Sequence, residues 1–438
     1  MQGSVGSTVE SLKGGSNADS VQPFNPSTLQ PQQAFSGIYA GKRVLITGHT
    51  GFKGAWLAEW LLALGAEVTG FALPPPTQPA LFDQLGLASR LRHVIGDIRD
   101  LAAVRQVLEE TKPDFVFHLA AQPLVRLSYD QPVETYATNV MGTVNVLEAL
   151  RLYQQELSSD KCSLLGSGKE PSTEQLTNQQ RRPSGATRIV AAVMITTDKC
   201  YENKEWVHSY REEDPMGGYD PYSSSKGAAE LVISAYRRSY FSASTSHLDS
   251  PRVRVASARA GNVIGGGDWA LDRIVPDCIR ALQRGAPIPV RNKIATRPWQ
   301  HVMEPLSGYL WLGACMANPQ LSPFSSQLAS GFNFGPALAS NRTVADLVQE
   351  ILKHWPGRWE DKSDPRAVHE AKLLNLATDK AHHFLSWSPV WPFVETISWT
   401  AKWYREASGA SANIHALTTG QIAAYSSSAK AAGIAWAT

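Results

Sequence analysis

Thr197, Asp198, Lys199, Tyr222 and Lys226 are the residues of this chain whose types and spacing suit acid–base chemistry. They fall in two short stretches. In VMITTDKCYENKEW, Val193 to Trp206, an apolar strand runs into two hydroxyls, a carboxylate and an amine. A solvated loop could carry those four groups, and a catalytic site could need them all. The second stretch, YDPYSSSKGAAELV, places Tyr222 and Lys226 four residues apart on a helix expected to start near Pro221, so both face one side. An ammonium beside a phenol favours the phenolate and pulls its pKa below the free value of about 10. Tyr222 would then accept a proton near neutral pH. Thr197, at the tip of the preceding strand, would complete a hydroxyl pair around a substrate alcohol.

A YxxxK pair alone is a weak signal, and an upstream glycine loop gives it weight. Gly48, Gly51 and Gly54 follow a short apolar strand, Val44 to Ile46, and open a helix carrying Trp56, Leu57, Trp60, Leu61 and Leu64. Gly48 suits the sharp turn, Gly51 a close approach of backbone to pyrophosphate, and Gly54 tight packing of helix on sheet, with the helix N-terminus facing the anion. Strand before and helix after point to a dinucleotide cofactor. The acid usual at the end of the second strand is missing: the chain reads Ala72, Leu73, Pro74, and Glu67 lies at the other end. The choice between NAD and NADP is therefore open at this position. Asp97, in GDIRD, could reach an adenine amino group or serve as a helix N-terminal acid.

These residues need a scaffold, and the periodicity describes one. Strand and helix alternate at short intervals from residue 41, the pattern of a Rossmann-type doubly wound parallel α/β sheet with a smaller α/β lobe. Residues 1–40 read as a flexible leader, 41–260 as the dinucleotide domain, 261–408 mainly as a substrate lobe and 409–438 as a tail without an assigned role. Residues 158–188 and 242–251 read as surface insertions. A length of 438 residues and a hydrophobic fraction of 43% allow a large core. A net charge of +2 argues against a nucleic-acid surface. The four cysteines are scattered, suggesting no disulfide framework, no metal site and a reducing compartment. With no membrane span or secretory signal in view, a cytoplasmic protein is expected.

The motifs TGHTGFKG, HLAAQ, TTDK and YSSSK together resemble the extended short-chain dehydrogenase/reductase superfamily. GHTGFKGAWL, HLAAQPLVRLSY, TNVMGTVNVLE, TDKCYEN, EEDPMGGYDPYS, RAGNVIGGGDW and RPWQHVMEPLSGY more closely resemble the CDP-glucose 4,6-dehydratases, over a span from about Gly41 to Arg405 apart from the insertions. The resemblance implies a tightly held NAD that oxidises C4 of CDP-glucose, loss of water across C5 and C6, and return of the hydride to C6. It implies Tyr222 as base for the C4 hydroxyl, Lys226 as its partner and ribose ligand, and Thr197 orienting O4. Asp198 would be the acid for the C6 hydroxyl. Lys199 would be the C5 base, which requires burial or a nearby cation to lower its pKa, or else it is simply an ion-pairing side chain. Around the cofactor the resemblance places Gly48, Gly51, Phe52, Lys53, Gly54, Asp97, Ile98, Ala120, Ala121, Gln122 and Asn139. It places Asn262, Arg291 and Arg297 on the nucleotide sugar, guanidinium suiting phosphate, and implies a homodimer or higher homo-oligomer. Another nucleotide-sugar dehydratase, a C4 epimerase and a non-catalytic dinucleotide-binding protein are the alternatives. His118, within a strand, reads as a packed core histidine.

Overall fold

A computed structural model describes residues 31–166, 189–242, 253–363 and 373–438. Seven strands form one parallel sheet: β1 (Arg43–Thr47), β2 (Glu67–Ala72), β3 (Arg92–Ile95), β4 (Phe115–His118), β5 (Val190–Ile195), β6 (Val253–Ala260) and β7 (Gly331–Phe334). Their order across the sheet is β7-β6-β5-β4-β1-β2-β3. The central strands read as unbroken apolar runs because helices cover both faces; every residue of β5 is buried. Chain direction across the sheet reverses between β1 and β4, and the crevice at the carboxyl ends there is where such sheets bind ligands.

The principal helices are α1 (Phe52–Ala63), α2 (Leu101–Thr111), α3 (Gly142–Gly166), α4 (Pro221–Tyr240), α5 (Ile274–Gln283), α6 (Met303–Ala317), α7 (Val344–His354), α8 (Phe393–Ala407) and α9 (Ile414–Ala431). Their ends obey local chemistry. Asp220 caps α4 by accepting from Ser223 N at 2.9 Å, with Pro221 in the first turn. Asp100, rather than Asp97, caps α2 through Ala102 N and Ala103 N.

After residue 260 the chain forms three two-stranded pieces: Val263–Ile264 with Gln300–His301, Thr296–Pro298 with Asn341–Thr343, and Ile288–Val290 with Trp359–Asp361. It also returns to the main sheet, since α6 packs beside β5 and β7 pairs with β6.

Both chain ends join the core. Phe35 and Tyr39, before the expected boundary at residue 41, are fully buried, and Tyr39 donates to Leu310 O at 2.6 Å. The 409–438 segment, without a role in the sequence, forms α9, capped by Asn413 and packed on α1 and α8. Beyond it Trp436 stacks on Phe35 with ring centroids 4.9 Å apart. The expected leader to residue 30 and insertion from residue 167 to 188 lie outside the described residues, while α3 runs on to Gly166.

Candidate active site

β5 ends at Ile195, and Thr196 N still bonds to Ala258 O at 2.9 Å, holding this strand end beside β6. One tight turn follows, Asp198–Cys200, with Thr197 as its cap. Thr197 Oγ1 donates to Asp198 Oδ1 at 2.9 Å. The Asp198 carboxylate is buried, and its Oδ2 has no hydrogen-bond partner among the described residues. A Cβ added at Gly261 would lie 2.9 Å from that oxygen, so glycine is what lets β6 run close past it. Lys199 Nζ lies 3.6 Å from Asp198 Oδ1 with its side chain 23% exposed. The burial required of Lys199 as a base is therefore partial, and an ion pair accompanies it.

Tyr222 and Lys226 project from the first two turns of α4, and both are buried. Tyr222 N donates to Ser128 Oγ at 3.1 Å, and Ser225 Oγ donates to Tyr222 O at 2.7 Å. The expected lowering of the phenol is reversed. Burial pushes Tyr222 up to about 12; a hydrogen bond with Thr197 and the charge of Arg273 pull against it, and Asp198 adds to the rise. Lys226 is itself pushed down to about 8, mainly by burial. The reversal has a plain cause: desolvation disfavours both ionised forms and outweighs their partners.

The glycine loop fits a dinucleotide. Gly48 has φ +77°, and a Cβ there would lie 2.6 Å from Ala120 N. At Gly54 a Cβ would meet Gly48 O at 2.2 Å. Gly51 is open, its nearest neighbour at 3.5 Å, and it heads α1 without any side-chain cap, leaving the first amides for an anion. Ala120, Ala121 and Gln122 form the loop after β4, facing this turn. Asn139, in a π-turn before α3, holds that loop by accepting from Gln122 N at 2.9 Å. Ile98 is buried against Gly142. Asp97 already accepts from Arg99 N, Nε and Nη2 at 2.6–2.9 Å, which hold its carboxyl below the usual range. His118 is a packed histidine, between Thr47 Oγ1 at 2.7 Å and Thr143 Oγ1 at 3.1 Å.

One cavity of about 1540 Å³ joins these elements to the later part of the chain. Thr197, Lys199 and Tyr222 line it together with Phe52 and Lys53 of the glycine loop, and with Asn262, Arg291 and Arg297. Asn262 Oδ1 is buried without a hydrogen-bond partner among the described residues. Arg291 is bound to Asp272 and, at 2.7 Å, to Asp277. Arg297 is buried, and its Nη1 donates to Thr296 O at 2.8 Å. Within the glycine run at 265–267, Gly265 lines the cavity, and a Cβ at Gly266 would sit 2.0 Å from the Trp403 ring.

The family model described as GDP-mannose 4,6 dehydratase matches residues 45–312. The chain belongs to this family. It is 44% identical to the CDP-glucose 4,6-dehydratase of Salmonella typhimurium over 84% of this chain and 92% of that one. Among solved structures it resembles dTDP-glucose 4,6-dehydratase from Streptomyces venezuelae with NAD bound, with a TM-score of 0.61 and 23% identity over 83% of this chain and 97% of that one. The NAD complex of Thermus thermophilus UDP-glucose 4-epimerase gives 0.62 and 22%, over 83% and 99%.

This dehydratase-family cavity also holds residues that sequence reasoning missed: Arg126, Asp268, Arg273 and Lys293. Lys53, assigned to the cofactor, lines this same cavity, and burial and the neighbouring Arg273 and Lys226 charges lower it to about 8. The run GGGDWALDRIVPD contains Asp268 and Arg273, but nothing in their spacing announces a shared wall.

Proposed function

We propose that this protein carries out the NAD-dependent 4,6-dehydration of CDP-glucose to CDP-4-dehydro-6-deoxyglucose. One observation carries the reading: Thr197 and Lys199, on either side of the buried Asp198 at one strand end, line a single cavity with Tyr222. Oxidation alone needs Thr197, Tyr222 and Lys226; the adjacent acid and amine suit an elimination. The assignment of CDP-glucose draws on the named Salmonella relative.

Gly48, Gly51 and Gly54 would hold NAD, which would supply a hydride acceptor for C4 and a hydride donor for C6. Tyr222 takes the O4 proton while Thr197 holds O4 in line. The C4 ketone then acidifies C5. Lys199 removes the C5 proton as Asp198 delivers one to the departing C6 hydroxyl, so C5–H and C6–O break, a C5=C6 bond forms and water leaves; when C6 regains hydride, Lys199 returns its proton to C5. Asn262, Arg291 and Arg297 are assigned to the nucleotide sugar.

A homodimer or higher homo-oligomer is part of this reading. Val133, Met141 and Leu231 are 76%, 53% and 61% exposed on neighbouring helical segments, joined where Tyr136 meets Ser224. Among the described residues no helix is long and apolar enough to cross a membrane. Cys200, Cys278 and Cys315 are free thiols, in keeping with the cytoplasm.

The test is incubation of purified protein with CDP-, dTDP-, GDP- and UDP-glucose, following the 4-keto-6-deoxy product by its absorbance in alkali. Product from CDP-glucose supports the reading. Turnover of another nucleotide sugar in its place overturns the specificity.

A further inference from the structure

The cavity wall holds a charged pair that the reaction scheme above leaves unused. Arg273 is the residue just before α5, and it makes no side-chain cap there. Its Nη1 instead donates to Asp268 Oδ2 at 2.9 Å, with side-chain exposures of 34% for Arg273 and 6% for Asp268. Asp268 is firmly set. Its Oδ1 accepts from Ala270 N at 3.2 Å, and its backbone carbonyl accepts the Tyr404 hydroxyl at 2.6 Å. Gly267 before it has φ +81°, and a Cβ there would press on Leu81 at 2.7 Å. Both members of the pair line the cavity with Lys53, Thr197 and Tyr222.

Tyr222 sits among many charges. Its own helix contributes Asp220 and Lys226, the β5 end Asp198 and Lys199, the glycine loop Lys53, α6 the Tyr309 phenol, and the segment before α5 Asp268 and Arg273. Arg273 and Tyr222 line the same cavity, and the nearby cation eases ionisation of the phenol against burial. A guanidinium keeps its charge at any working pH. Lys53 and Lys226, both lowered to about 8, begin to lose theirs in mild alkali.

We propose that Arg273, tethered by Asp268, is a positioning residue for the oxidation step, acting through Tyr222 as the permanent countercharge that lets its phenol take the O4 proton. The proposal rests on the reading of Tyr222 as the base for the C4 hydroxyl.

The pair allows a test by opposite signs. With a fluorinated tyrosine at position 222, fluorine NMR follows the phenol's titration in the protein without substrate. Arg273→Gln should move that titration to higher pH and Asp268→Asn to lower pH, whereas general damage to the site would move both the same way. In single-turnover hydride transfer, the acidic limb of the Arg273→Gln profile should shift upward with the phenol. A shift of one unit slows the step about tenfold on that limb, and Arg273→Lys should restore it. If Arg273→Gln fails to fold, the downward shift in Asp268→Asn decides. An unmoved titration, or an unmoved pH limb with only KM for the nucleotide sugar raised, overturns the proposal and makes Arg273 a substrate ligand. Failure of the unaltered protein to form any keto sugar would instead sink the functional reading, and the titration would still decide what Arg273 does to Tyr222.

Discussion

Asn139 holds Ser225: its side-chain amide donates to the Ser225 hydroxyl at 2.9 Å. The same amide bonds to Gln122 O at 3.1 Å, and its carbonyl accepts from Gln122 N. One buried side chain therefore joins the loop after β4, assigned to the cofactor, to the helix carrying Tyr222 and Lys226. Asn139→Leu should leave polar partners unsatisfied in the interior, at about 1–3 kcal/mol for each. A lowered urea midpoint and weaker NAD retention are the expected readouts. Unchanged values for both would show that the joint is dispensable.

Lys199→Met should separate the two halves of the reaction. Tyr222, Lys226 and Thr197 remain, so C4 oxidation proceeds and the near-ultraviolet absorbance of reduced cofactor builds up. Solvent deuterium should not enter C5, and no 4-keto-6-deoxy product should appear. Dehydration at the rate of the unaltered protein would remove Lys199 from the role of base.

Stability should fall on acidification. Burial lowers His49, His118 and His301 to about 3. The folded protein then binds fewer protons than the unfolded chain between about 3 and 6.5, so stability rises with pH across that window and is lost as pH falls through it. Each histidine contributes a slope of up to ~1.4 kcal/mol per pH unit. Urea midpoints measured from pH 7 to 5 should show the decline, and His118→Asn should make it shallower.

Buried lysines act in the opposite pH region with the same sign. Lys226 is lowered to about 8, so the unfolded chain holds more protons above that value and stability increases from there toward the ordinary lysine range. Lys226→Met should remove this alkaline gain. It should also abolish oxidation, as followed by hydride transfer from substrate.

Trp436→Ala should cost about 3–5 kcal/mol, because this side chain is fully buried and stacks on both Phe35 and Tyr425. Thermal unfolding monitored by near-ultraviolet circular dichroism would show it. A melting temperature within a degree of the unaltered protein would mean that the C-terminal segment is not part of the cooperative core.

Local patterns carried much of this protein. The strand, glycine turn and helix at residues 43–63, the alternation of the doubly wound sheet and the Tyr222–Lys226 spacing depend on neighbours in sequence, so they are legible there. Thr197, Lys199, Tyr222, Asn262, Arg291 and Arg297 line one cavity, while Asp198 and Lys226 are not among its lining residues. What stayed hidden depends on groups far apart in the chain. The direction of the Tyr222 shift, the meeting of the Arg273–Asp268 pair with Tyr222 at one cavity and the docking of Trp436 on Phe35 are set by desolvation and packing summed over distant residues. A sequence names the ionisable groups and their order; only the folded chain decides how much water each one loses and which charge it meets.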